Sequence, residues 1–388
     1  MVSIGKKLFA FVASYGFATV IFLMLFLLTM LGTVEQVKDG LFDVQKKYFE
    51  SYFLVHHLFG KVPIPLPGVF LLTSLFAVNL IAGGIIRIRK RKEQIGNFVA
   101  HLGILLLISG GLVKSMFAID GQVTLAENQS ADEFYSYHDW EIAVVEANQS
   151  PPYDEQIIPG DKFIHLEDGD TVRFESETLP FSVTVSDYIR NSWPEPAGAD
   201  DGGKVVDGFY LIEREKDNEA GRNVAGAYVT LEDKSSNATK EHILWGWAER
   251  PLAVEAGGKV WALDLRKKLT PLPFTVRLNK FNHELHPGTR MDASFSSDVS
   301  RIQDGIEQDY HIAMNEPLRH SGWTFYQESY VPADPEIGRP VMSSLAVSMN
   351  PADQIPLYSC IVIGFGLSLH FLIKLSKYLR KEAKRRSA

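Results

Sequence analysis

Two histidines stand inside runs that are otherwise apolar enough for a lipid core: His101 in NFVAHLGILLLISGG and His370 in LSLHFLIK. An imidazole in hydrocarbon needs a hydrogen-bond partner, a polar cavity or a metal. At about 1.5 Å per residue, five residues from Gly96 put His101 about 7 to 8 Å inside its run, and four residues before Lys374 put His370 about 6 Å inside. Both counts start from the basic end of a run, so the two rings share one level. Neutral imidazole is a common axial ligand to haem iron. A shared level admits a pair on one haem, two ligands facing a partner subunit, or side chains that snorkel or hydrogen-bond a neighbouring helix.

The remaining chemistry is sparse. His138, His165, His242, His283, His286, His311 and His320 are spread among polar strand residues, with His56 and His57 further forward. The pairs His283/His286 and His56/His57 lack a clear third ligand, so ordinary packed or exposed histidines are the better reading. No Walker loop, HExxH or paired helical carboxylates are present, and nothing points to ATP use. The single cysteine, Cys360, lies in an apolar run. The chain therefore forms no internal disulfide and carries neither a CxxC redox pair nor a CxxCH haem-attachment site.

Four apolar runs must position these residues, at about 8–31, 68–86, 96–117 and 355–373. Each is long enough for a bilayer core of about 30 Å. The first follows Lys6 and Lys7 but is too long for a signal peptide and lacks a small-residue cleavage site, so it reads as an anchor. Lys114, near the outer end of the third, can snorkel to the interface. Lys and Arg gather at Lys6 and Lys7, at Arg87, Arg89, Lys90, Arg91 and Lys92, and in the tail from Lys374 to Arg386. With four crossings, all three clusters fall on one side, which the positive-inside rule makes cytoplasmic, as are both termini. Fourteen of the 39 basic and two of the 47 acidic residues lie in these clusters, leaving 25 basic against 45 acidic elsewhere, a net of about −20. Such a field repels nucleic acid.

The expected fold is thus an integral membrane protein of four transmembrane α-helices with a large all-β extracytoplasmic domain between the third and fourth. Residues 1–117 form the N-terminal membrane region, 118–354 the β-rich domain, and 355–388 the last helix with a basic cytoplasmic tail. From Ile119 onward, runs such as QVTLAE, FSVTVSDYI and FTVRLNKF alternate in polarity between Gly, Asp, Asn and Pro turns, as in a sandwich or barrel. Asp187 to Gly208 reads as the long loop. Within 32–67, Phe42, Tyr48, Phe49, Tyr52, Phe53 and Leu54 suggest an aromatic amphipathic helix on the outer membrane surface, ended by Pro63, Pro65 and Pro67.

Several strings together resemble the ResB family, also called CcsB, of System II cytochrome c biogenesis. They are Leu31-Gly32-Thr33 with Gln36, Asn79-Leu80, His101-Leu102-Gly103, MNEPLRHSGWTFYQESY (Met314 to Tyr330), and Asn350-Pro351-Ala352-Asp353 before a span that ends in His370-Phe371. The stretch from about 150 to 270 carries no such string. The resemblance implies a non-catalytic subunit of a haem-attaching complex in the inner (plasma) membrane. With a ResC/CcsA-type membrane subunit, it would handle haem b transiently and serve an apocytochrome c. It casts His101 as a haem ligand on the cytoplasmic side and carries no role over to His370. Thioether formation draws its nucleophiles from the apocytochrome thiols, so the lack of a catalytic constellation agrees with this division. The competing readings are a cofactor-free scaffold or sensor and a b-type electron carrier with His101 and His370 on one haem.

Overall fold

The computed structural model describes residues 4–58, 60–88, 91–149, 154–166, 169–198, 204–289 and 291–387, so Arg89 and Lys90 of the central basic cluster lie outside the described residues. The chain divides into two compact units, Met1–Ile119 with Met349–Ala388, and Asp120–Ser348.

The first unit is helical. It contains α1 (Ile4–Val12), α2 (Tyr15–Asp39), α3 (Leu41–Val44, continued by a π-helical turn at Gln45–Phe49), α4 (Val69–Asn79, continued as a π-helix at Leu80–Ile86), α5 (Ile95–Phe117) and α6 (Ile355–Arg386). Among the described residues, four stretches are long and apolar enough to cross a membrane: Tyr15–Asp39, Val69–Ile86, Lys92–Phe117 and Ile355–Arg386.

The apolar run 8–31 does not form one helix. It is divided between α1 and α2, and α2 extends on to Asp39. Ser14 caps α2, its Oγ accepting from the Phe17 N–H at 3.1 Å. Buried Asn79 donates its amide to the carbonyls of Val12 at 2.5 Å and Ser14 at 3.1 Å, which satisfies acceptors released by the break. Gly83 makes room for this corner, since a Cβ there would lie 3.0 Å from the Ala13 carbonyl oxygen.

The expected amphipathic helix is only partly present. The helical turns end at Phe49, and Phe53–Leu58 pairs antiparallel with Val62–Pro67, with His57 opposite Pro63 and Val55 opposite Pro65. Pro63, Pro65 and Pro67 therefore sit in an edge strand rather than at a helix stop; a two-stranded hairpin leaves one side of each strand unpaired, where a missing N–H costs nothing. Val44, Tyr48 and Leu54 pack with Ile21, Leu28 and Leu72, so the segment forms part of a core. Gly32 permits this approach, as a Cβ would meet Phe49 and Val44 at 3.3 Å.

Helices α5 and α6 pack antiparallel along small residues. A Cβ on Gly96 would come within 2.4 Å of the His370 backbone nitrogen, one on Gly103 within 2.9 Å of that of Ile363, and one on Gly110 within 2.5 Å of the Ile355 side chain. Gly366 lies equally close to Ala100. Small residues let the helix backbones approach where lipid supplies no hydrophobic drive.

The second unit is β-rich. A ten-stranded sheet is built around Lys259–Leu285, a 27-residue strand that pairs with Ser130–Glu146 on one side and Asp292–Gln303 on the other. A four-stranded sheet (Thr171–Phe174, Phe181–Ile189, Gly226–Asp233, Thr239–Trp245) covers one core with Phe181, Val183, Val229, Leu263 and Leu265. The second core gathers Val276, Val299, Ile312, Leu318, Phe325 and Leu345, all from the ten-stranded sheet, which folds back on itself. The expected loop 187–208 instead contains Ser192–Pro196, paired with Phe209–Glu213; its residues 199–203 lie outside the described ones.

Candidate functional site

His101 lies nearly two turns into α5, half-buried, with Nδ1 3.2 Å from the carbonyl oxygen of Gly84 in the π-helical end of α4. That carbonyl only accepts, so the contact places the proton on Nδ1 and leaves Nε2 as the lone-pair nitrogen. Gly84 has no side chain to obstruct the ring, and a Cβ there would stand 2.6 Å from Nδ1. A π-helical turn shifts the following residues around the axis and exposes carbonyls that an α-helix would bond, which is how a main-chain oxygen comes to face the ring. A fixed Nδ1–H on a backbone carbonyl is the usual outer-shell arrangement behind a metal-ligating imidazole, so this histidine fits haem iron.

His370 is 8% exposed and packs over Gly96, and its Nδ1 is buried with no hydrogen-bond partner. Five residues separate Gly96 from His101, roughly 140° around the helix. The two histidines therefore occupy different interfaces, His370 between α5 and α6 and His101 between α5 and the end of α4, and no hydrogen bond or ring contact joins them. Among the described residues, no group of three or more His, Cys, Asp or Glu side chains could hold a metal ion.

A second polar constellation, not anticipated from sequence, occupies the other end of α2. Glu35 accepts from the Lys47 ammonium and the Tyr48 phenol, and His56 Nδ1 lies 2.6 Å from Tyr48 Oη and 3.2 Å from Glu35 Oε2. Tyr48 is fully buried; that burial and the Glu35 carboxylate push its phenol well above the usual range. The available signal was Glu35 itself, an acid a few residues beyond an unbroken apolar run.

The MNEPL string forms a hairpin. Leu318–His320 pairs with Trp323–Val331 through Ser321 and Gly322, both at positive φ, and Asn315 also has φ 64°. Leu318 and Phe325 are in the core, Trp323 meets Phe134 edge-on at 5.5 Å, and Tyr330 packs against Phe281 at 5.4 Å. Its aromatic residues thus hold the second core together.

The model of the ResB-like family matches residues 89–155 and 244–337, a range that includes His101 and the MNEPL hairpin, and the chain belongs to this family. The family points to a role in cytochrome c biogenesis. No curated protein matches the chain. The unmatched interval between the two segments contains most of the four-stranded sheet.

Proposed function

We propose that this chain is the ResB-type subunit of a System II cytochrome c synthase, anchored in the inner membrane by four helices with the β-rich unit outside the cytoplasm. A ResC/CcsA-type membrane subunit is its partner, and together they deliver haem and attach it to apocytochrome c. The observation that carries this reading is the family match across α5, with His101 inside it. Haem supplies the vinyl groups that receive the apocytochrome thiols. In this chain, His101 holds the iron through Nε2 and is itself oriented by the Gly84 carbonyl, which keeps the ring in the ligating tautomer. His370, wedged against Gly96, serves the packing of α5 on α6.

The test is the optical spectrum of the complex purified with its partner. His101→Ala is expected to lower co-purifying haem while the two subunits stay together, because Ala is easier to hold in an apolar helix than imidazole. His370→Ala is expected to leave haem content unchanged. Full haem content and full cytochrome c maturation in His101→Ala would contradict the ligand role.

A further inference from the structure

The hairpin between α2 and α4 has one closed edge and one open edge. Its strands are β1 (Phe53–Leu58) and β2 (Val62–Pro67), and among the described residues they pair only with each other. The Gly68 N–H donates to the Tyr52 carbonyl at 2.8 Å, next to the facing pair Phe53/Pro67. In an antiparallel ladder, facing residues alternate between exchanging both main-chain bonds and exchanging none. Tyr52/Gly68 is a bonded pair, so Leu54/Leu66, His56/Ile64 and Leu58/Val62 are bonded as well. Phe53/Pro67, Val55/Pro65 and His57/Pro63 are then the non-bonded set, whose main-chain groups point away from the hairpin.

On β2 this outward row is three prolines, carbonyls without a single N–H, and no further strand can build a ladder on it. On β1 the outward row is Phe53, Val55 and His57, and each has an N–H. The His57 carbonyl accepts from the Gly60 N–H at 3.0 Å within the turn. The three N–H groups and the carbonyls of Phe53 and Val55 have no hydrogen-bond partner among the described residues. Nothing covers the row, since Phe53 is 75% exposed, Val55 46%, and His57 is exposed too.

These groups define what fits. Hydrocarbon cannot satisfy an N–H, and water meets such groups singly; an extended main chain meets the row as a row. None of the three edge side chains carries a fixed charge, so the edge reads main chain rather than a particular sequence. A folded partner has its main-chain groups already paired, whereas a chain without a fold has them free. The apocytochrome of the reading above is of the second kind, because its thiols must still be reached by haem. Position agrees: Val69 begins α4 directly after the hairpin, and the 18 residues to Ile86, beside the Gly84 carbonyl that orients His101, span about 27 Å. The hairpin and His101 thus stand at opposite ends of one apolar helix, and in the proposed orientation the hairpin is on the outer side. We propose that β1 takes up an extended stretch of unfolded apocytochrome as a third strand, with the prolines of β2 confining the addition to one edge. This rests on the cytochrome c biogenesis reading.

The full chain in detergent can be titrated with a fluorescent peptide of about ten residues, the length of a long strand, containing Ser-x-x-Ser-His in place of the haem-attachment motif. Val55→Pro removes the central N–H of the open row. It leaves the β2 ladder intact, because Val55 faces Pro65 in a non-bonded pair. The variant is expected to bind the peptide about tenfold more weakly or worse and to lose cytochrome c maturation, with an unchanged thermal midpoint. Val55→Ala, which keeps the main chain, should bind like wild type. The same peptide N-methylated throughout its central stretch should not bind wild type, a result independent of any folding defect in a variant. Equal losses in Val55→Ala and Val55→Pro, or wild-type binding of the methylated peptide, would overturn strand addition. So would a wild type that binds the peptide no better than Val55→Pro. A wild-type dimer that Val55→Pro converts to monomer, with no peptide bound, would give the edge to a second copy instead. Lost peptide binding with full cytochrome c maturation would remove apocytochrome as the occupant. No readout here involves His101, so failure of this proposal and failure of the haem-ligand reading are separate results.

Discussion

Lys267 is a half-buried cation in the β-rich unit, and its protonation links pH to folding. Its ammonium lies 4.3 Å from the centre of the Trp140 ring and donates to the Tyr137 carbonyl at 3.0 Å, but burial pushes its pKa down to about 8. A lysine in the unfolded chain titrates near about 10.4. Between those values the unfolded state binds more protons, so stability rises with pH across that window and levels off above it. Thermal unfolding of the wild type from about pH 7.5 to 10.5 is expected to show this rise, and Lys267→Met should lack it. Identical pH slopes in the two proteins would contradict the assignment. At this scale the sequence was informative only where an imidazole stood in an apolar run. His101 was visible for that reason, whereas His56 looked ordinary because Glu35 and Tyr48, 21 and 8 positions away, reach it only after the chain has folded.

The α5–α6 pair depends on glycine at the points of closest approach. In Gly96→Val the added atoms would meet the His370 backbone nitrogen, 2.4 Å from even a Cβ, and main chain cannot move aside as a side-chain tip can. The variant is expected to lose about 1–3 kcal/mol, read as a lower thermal midpoint of the detergent-solubilised chain. Gly111→Val, where nothing lies within 4 Å of the added Cβ, is the control and should be nearly neutral. Equal effects at the two positions would mean that the helix pair is not packed this way. Periodicity found α5 and α6 within a residue or so at their starts, because long apolar runs bounded by charge leave few alternatives. It did not find the break at Ser14, which is stabilised by Asn79 from 65 positions away. Nor did it find the hairpin at 53–67 or the one joining 192–196 to 209–213. Prolines in both resemble loop signals until the strands prove to be edges.

At the scale of the whole molecule, the proposed orientation rests on the basic clusters of the helical unit, which the positive-inside rule would put in the cytoplasm. A reporter active only in the cytoplasm is expected to work when fused after Lys92 or at the C-terminus and to fail when inserted at Gly221, within a short helical turn of the β-rich unit. Cytoplasmic activity at Gly221 would remove the four-span arrangement. The distribution of Lys and Arg alone carries that proposed orientation, whereas the curling of the ten-stranded sheet around a second core was not legible in the sequence. Alternation identifies a strand's buried face but not which distant strand will cover it. The central claim is that His101 ligates haem iron, and the most direct measurement is chemical rescue. Removing one axial imidazole leaves a position that a small exogenous base can fill, and neither a packing defect nor a lost hydrogen bond responds to such a base. The partner complex carrying His101→Ala should therefore regain haem and its low-spin spectrum when purified in imidazole; haem that stays absent with imidazole present, or that was never lost, would contradict the claim.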